Sequence, residues 1–242
     1  MGINKSIERE GQDRFSLELP VDQQEFIKEL YKVNPNTVVV LVAGSSMAVN
    51  WMDENVPAIL NAWYPGEQGG NAVAEVLFGD YNPGGRLPLT YYNSLDEIPA
   101  FDNYSVKGRT YQYFEGQPLY EFGYGLSYTK FRYKSKGVNV EQDTVKVSFE
   151  VSNTGKYDGD EVAQVYVKYP ETGTYTPLKQ LHGFKRVHIK KGKTSKVTIG
   201  VPKKDLRYWD EQERKLVTPK GEYTFMVGAS SDDIKFRETV GL

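Results

Sequence analysis

The chain has 242 residues, which is long enough for one large domain or two ordinary ones. Its net charge of −2 argues against nucleic acid as the main partner, because such a partner requires a clustered basic face. The absence of cysteine excludes disulfides, thiolate metal sites and a cysteine nucleophile. No apolar run approaches the ~18 residues that span a membrane, and the opening residues do not form a signal-peptide pattern.

The first predicted elements are one helix and one strand. Residues 21–33 are expected to form a helix with one apolar face, composed of Phe26, Ile27, Leu30 and Tyr31. Residues 37–43 read TVVVLVA, a continuous β-branched run. Because this run does not alternate with polar residues, it predicts a strand of a parallel sheet that is buried on both faces.

A second strand is predicted over residues 58–64 and a second helix over residues 67–78, with Gly79 in the C′ position. This order predicts βαβ connections and a mostly parallel sheet. The glycines of residues 66–70 do not match a phosphate-binding loop and are expected to permit close helix–strand packing. Residues 80–90 are expected to form turns that lead into a short strand.

Residues 6–14 read SIEREGQDR and predict a charged loop, because Gly11 opposes a regular helix. No histidine lies in the first half, so Ser45 and Ser46 have no base for a catalytic triad. The two histidines, His182 and His188, are expected to be strand or surface residues. They are too few to form a metal site.

The second half has a period of two. Alternating apolar residues mark strands around residues 145–151, 162–168, 197–201 and 223–227, and turn signals separate them. This pattern predicts an all-β sandwich of immunoglobulin or fibronectin type III style. The aromatic and glycine-rich residues 118–131, PLYEFGYGLSYTKF, are expected to form either a packed junction between the two halves or an ordinary aromatic-rich strand with a turn.

Several long segments, taken in order, closely resemble the C-terminal portion of glycoside hydrolase family 3. They are GQDRFSLELP, AWYPGEQGGNAVAEVLFGDYNPGGRLPLT, GRTYQYF, PLYEFGYGLSYTKF and VSNTGKYDGDEVAQVYV. The resemblance implies a partial α/β sandwich domain over residues 1–126 and a fibronectin type III-like domain over residues 127–242. It also implies that an N-terminal (β/α)₈ barrel and the first strand of the α/β domain are missing, so that the chain is a piece of a longer protein.

The resemblance implies retaining β-glycosidase chemistry, in which one carboxylate attacks the anomeric carbon and a second acts as acid and then as base. The nucleophile of the family is an aspartate of the barrel. The family pattern Glu-Gly-x-Asp-Arg falls on Glu10, which is therefore the expected acid/base, and Glu8 is the alternative. Asp13 and Arg14 are expected to tie the loop down. No cofactor and no metal are implied.

The expected substrate is an oligosaccharide or glycoside with a terminal β-D-xylosyl or β-D-glucosyl residue, and the expected partner is the barrel domain. The chain alone is expected to be inactive. The alternative is a stand-alone, non-catalytic module that binds carbohydrate or another protein. The sequence does not fix the compartment, but the resemblance implies a periplasmic or secreted parent enzyme.

Overall fold

The computed structural model describes residues 1–171, 176–210 and 213–242, and its contacts divide the chain into two compact units. The first, called here the α/β unit, comprises Met1–Tyr81, Leu89–Tyr104 and Glu115–Tyr120. The second, called the sandwich unit, comprises Asn82–Pro88, Ser105–Phe114 and Glu121–Leu242. The predicted fold class, an α/β unit together with an all-β sandwich, is therefore confirmed. The domain boundary expected at residue 126 stays a prediction.

The α/β unit follows the predicted alternation of helices and strands. Its elements are α1 (Val21–Val33), β1 (Val38–Leu41), α2 (Asn50–Asn55), β2 (Ala58–Asn61) and α3 (Gly69–Phe78). Strands β1 and β2 are parallel, with Val38 opposite Ala58 and Leu41 opposite Asn61. Gly79 ends α3 in the left-handed conformation, with φ of 85°, as expected for a glycine cap.

Burial in the α/β unit is more one-sided than predicted. In β1, Val39 and Leu41 are buried but Val38 is 45% exposed, so the expectation of burial on both faces is wrong. In α1, Ile27 is buried and Tyr31 packs edge-on against Trp51, whereas Phe26 is 56% exposed. Each element therefore buries only the side chains that point into a single cluster, which includes Leu19, Ala43, Met47, Met52 and Val56.

The structure of the α/β unit differs from the sequence-based expectations at three places. Helix α2 was not predicted, because its six residues are too few to show a helical period. No named strand follows the turns after residue 80, where Tyr91 instead forms an isolated antiparallel bridge with Tyr120. The glycines of residues 66–70 do not approach a strand, because a Cβ on Gly69 would meet Pro65 and one on Gly70 would meet open space.

The sandwich unit contains one short α-helix and nine strands within the described residues, besides a 3₁₀ helix at Lys203–Leu206. They are α4 (Thr110–Tyr113), β3 (Phe131–Val140), β4 (Thr144–Asn153), β5 (Gly159–Lys168), β6 (Gln180–Ile189), β7 (Thr194–Pro202), β8 (Tyr208–Asp210), β9 (Lys215–Val217), β10 (Glu222–Gly228) and β11 (Ile234–Gly241). One sheet has the order β11-β10-β5-β6 and the other the order β3-β4-β7, and all neighbouring pairs are antiparallel. Strands β8 and β9 form a separate hairpin.

The core of the sandwich unit uses the alternating residues that the period of two identified. Val145, Val147, Phe149 and Val151 of β4 have at most 1% exposure, while the residues between them face outward. These side chains meet buried residues of the other sheet, including Val165. The predicted strands at 145–151, 162–168, 197–201 and 223–227 are all confirmed.

Strand β5 is buried on both faces, because distant segments cover the side that points away from the core. Tyr111 stacks on Phe122 with ring centroids 4.3 Å apart and meets the ring of Tyr166 edge-on at 5.8 Å. The amide of Gln164 donates to the carbonyl oxygen of Gly123 at 3.2 Å. The residues before β3 therefore complete a second layer against this sheet.

A buried ion pair joins β5 to Arg86, in the segment Asn82–Pro88 of the same unit. Nη2 of Arg86 lies 2.8 Å from Oε2 of Glu161, and the two side chains are only 10% and 3% exposed. The hydroxyl of Tyr133 donates to Oε1 of the same carboxylate at 2.6 Å. Burial raises the pKa of Tyr133, so its phenol remains protonated and available as a donor.

Candidate active site

The loop that contains both candidate glutamates is held at its two ends by extended segments of the α/β unit. Gly2 forms a parallel bridge with Val42, and the amide of Ile3 donates to the carbonyl oxygen of Val42 at 3.1 Å. At the other end, the amide of Ala48 donates to the carbonyl oxygen of Leu17 at 2.8 Å. Because the residues after β1 hold both ends, the loop of residues 4–16 has a defined base.

Gly2 is required for the first of these contacts. Its φ is +144°, and a Cβ on it would lie 1.9 Å from the carbonyl oxygen of Val42. Any side chain at this position would therefore push the segment away from β1.

Glu10 lies at the tip of a tight turn. The backbones of Arg9 and Gln12 exchange hydrogen bonds of 3.1 and 2.9 Å, so Glu10 and Gly11 form a two-residue connection. Gly11 has a φ of +73°, which glycine adopts without steric cost. The side chain of Glu10 is exposed. This carboxylate is therefore presented to solvent by a turn whose backbone is fixed.

Glu8 has a different environment, because donors already occupy its carboxylate. Its Oε2 accepts a hydrogen bond from Nε of Arg14 at 2.5 Å and another from the hydroxyl of Ser45 at 2.7 Å. The Arg14 side chain is 8% exposed and that of Glu8 is 27% exposed. Nη2 of Arg14 also donates to the carbonyl oxygen of Ser46 at 2.7 Å. These bonds connect the loop to the turn after β1.

The expectation that Asp13 and Arg14 together tie the loop down is half right. Arg14 does anchor the loop, but its carboxylate partner is Glu8, while Asp13 is exposed. Ser45 is part of the same network, a role that its sequence position did not indicate. The separation of Ser45 from Glu8 by 37 residues explains why local reading missed the contact. Glu8 is therefore engaged in hydrogen bonds that hold the loop, whereas the carboxylate of Glu10 is accessible to solvent.

The two histidines lie on β6 of the sandwich unit, as expected for strand residues. Nδ1 of His188 lies 2.7 Å from Oδ1 of Asp160, and its side chain is 59% exposed. His182 is half-buried, and its Nε2 lies 2.7 Å from the hydroxyl of Tyr169. Within the described ranges, no three His, Asp or Glu side chains cluster in a way that could hold a metal ion. No helix in the same ranges is long and apolar enough to cross a membrane.

The burial of His182 predicts acid-sensitive stability. Burial lowers the pKa of His182 to about 4, from the ordinary value of 6.5, although the charge of Asp205 opposes the shift. Between these two pH values the unfolded chain binds more protons than the folded one, so the free energy of unfolding falls as the pH falls from 6.5 towards 4. Relative to the wild type, His182→Gln is expected to reduce the loss between about pH 7 and pH 5 by ~2 kcal/mol.

Urea unfolding at both pH values measures this difference. His188→Gln is the matched control, because it removes the more exposed imidazole of the same strand. Equal pH dependence in His182→Gln and the wild type would show that the His182 imidazole is not kept neutral by burial.

Two family models match parts of this chain. A family model described as the glycosyl hydrolase family 3 C-terminal domain matches residues 1–128. A fibronectin type III-like domain model matches residues 161–231. Because the first match covers more than half of the sequence, the chain belongs to glycosyl hydrolase family 3.

Individual relatives agree with this assignment. The xylan 1,4-beta-xylosidase of Xylanibacter ruminicola is 43% identical over 92% of this chain and 26% of the relative. The beta-xylosidase of Formosa agariphila is 40% identical over 93% of this chain and 33% of the relative. The crystal structure of the beta-glucosidase from Kluyveromyces marxianus in complex with glucose is 36% identical, with a TM-score of 0.93 over 100% of this chain and 31% of that one. The chain spans about a quarter to a third of the length of these relatives.

Proposed function

We propose that this chain is the C-terminal part of a retaining β-glycosidase that removes terminal β-D-xylosyl or β-D-glucosyl residues. Membership of glycosyl hydrolase family 3 supports a glycosidase. The names of its relatives support these two sugars, since the 43% and 40% identical proteins are called xylosidases and the 36% identical structure a glucosidase. In this proposal a (β/α)₈ barrel polypeptide supplies the nucleophilic carboxylate, and the present chain supplies the acid/base.

Glu10 is the proposed acid/base. The observation that carries this choice is the contrast between the exposed carboxylate at the turn tip and the Glu8 carboxylate, which Arg14 and Ser45 already engage. A proton donor has to come within hydrogen-bond distance of the leaving oxygen of a substrate. Glu10 is free to do so, whereas Glu8 would first have to break its bonds to Arg14 and Ser45.

The mechanism then has two steps. In the first, the nucleophile attacks the anomeric carbon while Glu10 gives its proton to the departing glycosidic oxygen. In the second, the Glu10 carboxylate removes a proton from water, which attacks the anomeric carbon and releases the sugar with its original configuration. Arg14 has a positioning role, because it fixes the base of the turn through Glu8 and the carbonyl oxygen of Ser46.

A fused enzyme tests this function directly. In the xylosidase of X. ruminicola, the matching C-terminal segment is replaced by residues 1–242 of this chain, and hydrolysis of aryl β-xylosides and β-glucosides is measured. Turnover by the fused enzyme, with none by the isolated chain, is the expected result. Turnover by the isolated chain would contradict the absence of the nucleophile from these residues, and an inactive but folded fusion would favour a stand-alone binding module.

A further inference from the structure

The outer surface of the β3-β4-β7 sheet has an unusual concentration of positive charge. We define the basic face as the exposed cations Lys130, Arg132, Lys134, Lys136, Lys193 and Lys196. Strand register places Lys134, Glu150 and Lys196 in one row across the three strands. Arg132 lies in the next row, opposite Ser152 and Thr194. Because adjacent strands are ~4.8 Å apart, Lys134 and Lys196 lie about two strand spacings from each other, with Glu150 between them.

The end turns of the sheet continue the basic face. The carbonyl oxygen of Lys130 accepts a hydrogen bond from the amide of Thr154, and that of Lys193 accepts one from the amide of Asn153. Because their partners are consecutive residues, Lys130 and Lys193 lie on either side of the same point of β4. Lys190 and Lys191 precede Lys193 in the exposed turn between β6 and β7.

Few carboxylates offset this charge. Glu150 is the acidic residue in the central row, and its Oε2 is paired with Nζ of Lys136 at 3.1 Å. At the end of the face, the carboxylate of Asp158 accepts from the backbone amide of Lys191. In the part of the chain that the structure describes, no carboxylate lies within ion-pair distance of Arg132, Lys134 or Lys196.

This concentration contrasts with the charge of the whole chain, whose 30 Lys and Arg against 32 Asp and Glu give a net charge of −2. A surface on which cations outnumber carboxylates attracts polyanions and concentrates them nearby. The net charge, which argued against nucleic acid as the main partner, is an average over the whole chain and does not describe this sheet. The chemistry of the face decides which polyanion fits.

The basic face combines its cations with hydroxyl groups. The hydroxyls of Ser148 and Thr198 lie 3.0 Å apart, and those of Ser152 and Thr194 lie 2.7 Å apart, in rows beside the charges. Each hydroxyl has one donor and two acceptor lone pairs, so a bonded pair still has acceptor capacity for a sugar hydroxyl. All residues of β3, β4 and β7 are described, and none of their outward-facing side chains is aromatic, so base stacking has no platform here.

We propose that the basic face binds an acidic polysaccharide, such as a xylan that carries uronic-acid groups. This inference rests on the proposed function, because it assigns to the glycosidase a second contact with a polymeric substrate. Lysine and arginine contact the carboxylates, and the paired hydroxyls contact the neutral sugars between them. The contact holds the enzyme on the polymer whose terminal residues it removes.

Affinity electrophoresis of the full chain in gels that contain glucuronoxylan tests the proposal. The wild type is expected to be retarded, with retardation that falls as salt rises. The triple variant Arg132→Gln/Lys134→Gln/Lys196→Gln is expected to bind about tenfold more weakly, which corresponds to ~1.4 kcal/mol. A matched variant with exposed cations removed elsewhere in the same unit, Lys204→Gln/Lys215→Gln/Lys220→Gln, is expected to bind within about twofold of the wild type.

Two further gels decide the partner. Glucuronoxylan whose carboxyl groups have been reduced to alcohols is expected not to retard the chain, and duplex DNA is expected to bind more weakly than the acidic xylan. Equal retardation by the reduced polymer, tighter binding of DNA, or equal binding by the two triple variants would each overturn the proposal. Far-ultraviolet circular dichroism confirms that both variants are folded.

The outcome is separable from that of the proposed function, because retardation involves no hydrolysis. If the fused enzyme is inactive but acidic xylan still retards the chain, only the catalytic proposal fails. If the fused enzyme hydrolyses aryl xylosides but the chain is not retarded, only the polysaccharide surface fails.

Discussion

Replacing Glu10 with glutamine in the fused enzyme is expected to lower turnover of xylosides with poor leaving groups by ~10²–10⁴-fold, the usual contribution of general acid–base catalysis. Substrates with good leaving groups, such as dinitrophenolate, need no proton for the first step, so they should still form the glycosyl-enzyme. That intermediate should then accumulate, because water lacks its base in the second step. Steady-state rates across a leaving-group series measure both effects.

Azide distinguishes the acid/base from a residue that only shapes the loop. It attacks the glycosyl-enzyme without giving up a proton, so it should restore turnover to Glu10→Gln and yield the β-glycosyl azide. Glu8→Gln is the matched control: it loosens the bonds to Arg14 and Ser45, so its rate should fall without azide rescue. Rescue of Glu8→Gln, and not of Glu10→Gln, would transfer the acid/base role to Glu8.

The second large effect is expected in the sandwich unit, where Glu161→Ala should lower the free energy of unfolding by ~3–5 kcal/mol. The change leaves the guanidinium of Arg86 buried without its carboxylate and deprives the Tyr133 hydroxyl of its acceptor. Because a domain is stable by only ~5–15 kcal/mol, this loss is a large fraction of the total. Urea unfolding of the isolated chain measures it.

A neighbouring pair provides the control. Asp160→Ala removes a carboxylate whose partners, Arg186 and His188, are 50% and 59% exposed, and it should cost at most ~1 kcal/mol. The double variant Glu161→Ala/Arg86→Ala should be less unstable than the sum of the two single changes, because neither charge is then left alone. If the losses in the free energy of unfolding were strictly additive, Glu161 and Arg86 would not stabilise each other.

Local patterns were enough to predict most of the secondary structure. The helical period of residues 21–33 and the alternation of residues 145–151 predict α1 and β4 well, because each signal lies within one element. The family motifs likewise predicted the fold class, since they extend through both units. Helix α2 was missed because six residues do not complete two turns.

Contacts between distant residues explain the other differences. The link from Glu8 to Ser45 joins residues 37 positions apart, and nothing in either neighbourhood marks it. The burial of β5 on both faces depends on Tyr111 and Phe122. These residues lie far before the strand in sequence, so no local pattern predicts the contact. The basic face was missed because its charges come from three strands whose order in the sheet, β3-β4-β7, is not their order in the chain.

The cover over β5 has a consequence for how this protein can be divided. A recombinant fragment that began at β3 would contain every strand of the two sheets. It would nevertheless lack the segments that cover β5. Gln164 and Tyr166 would face solvent, and Glu161 would lose Arg86, its buried counter-charge. During synthesis the segments that supply this cover leave the ribosome before the strands that they contact. The smallest piece expected to fold as a sandwich therefore starts at about Asn82, well before its first strand.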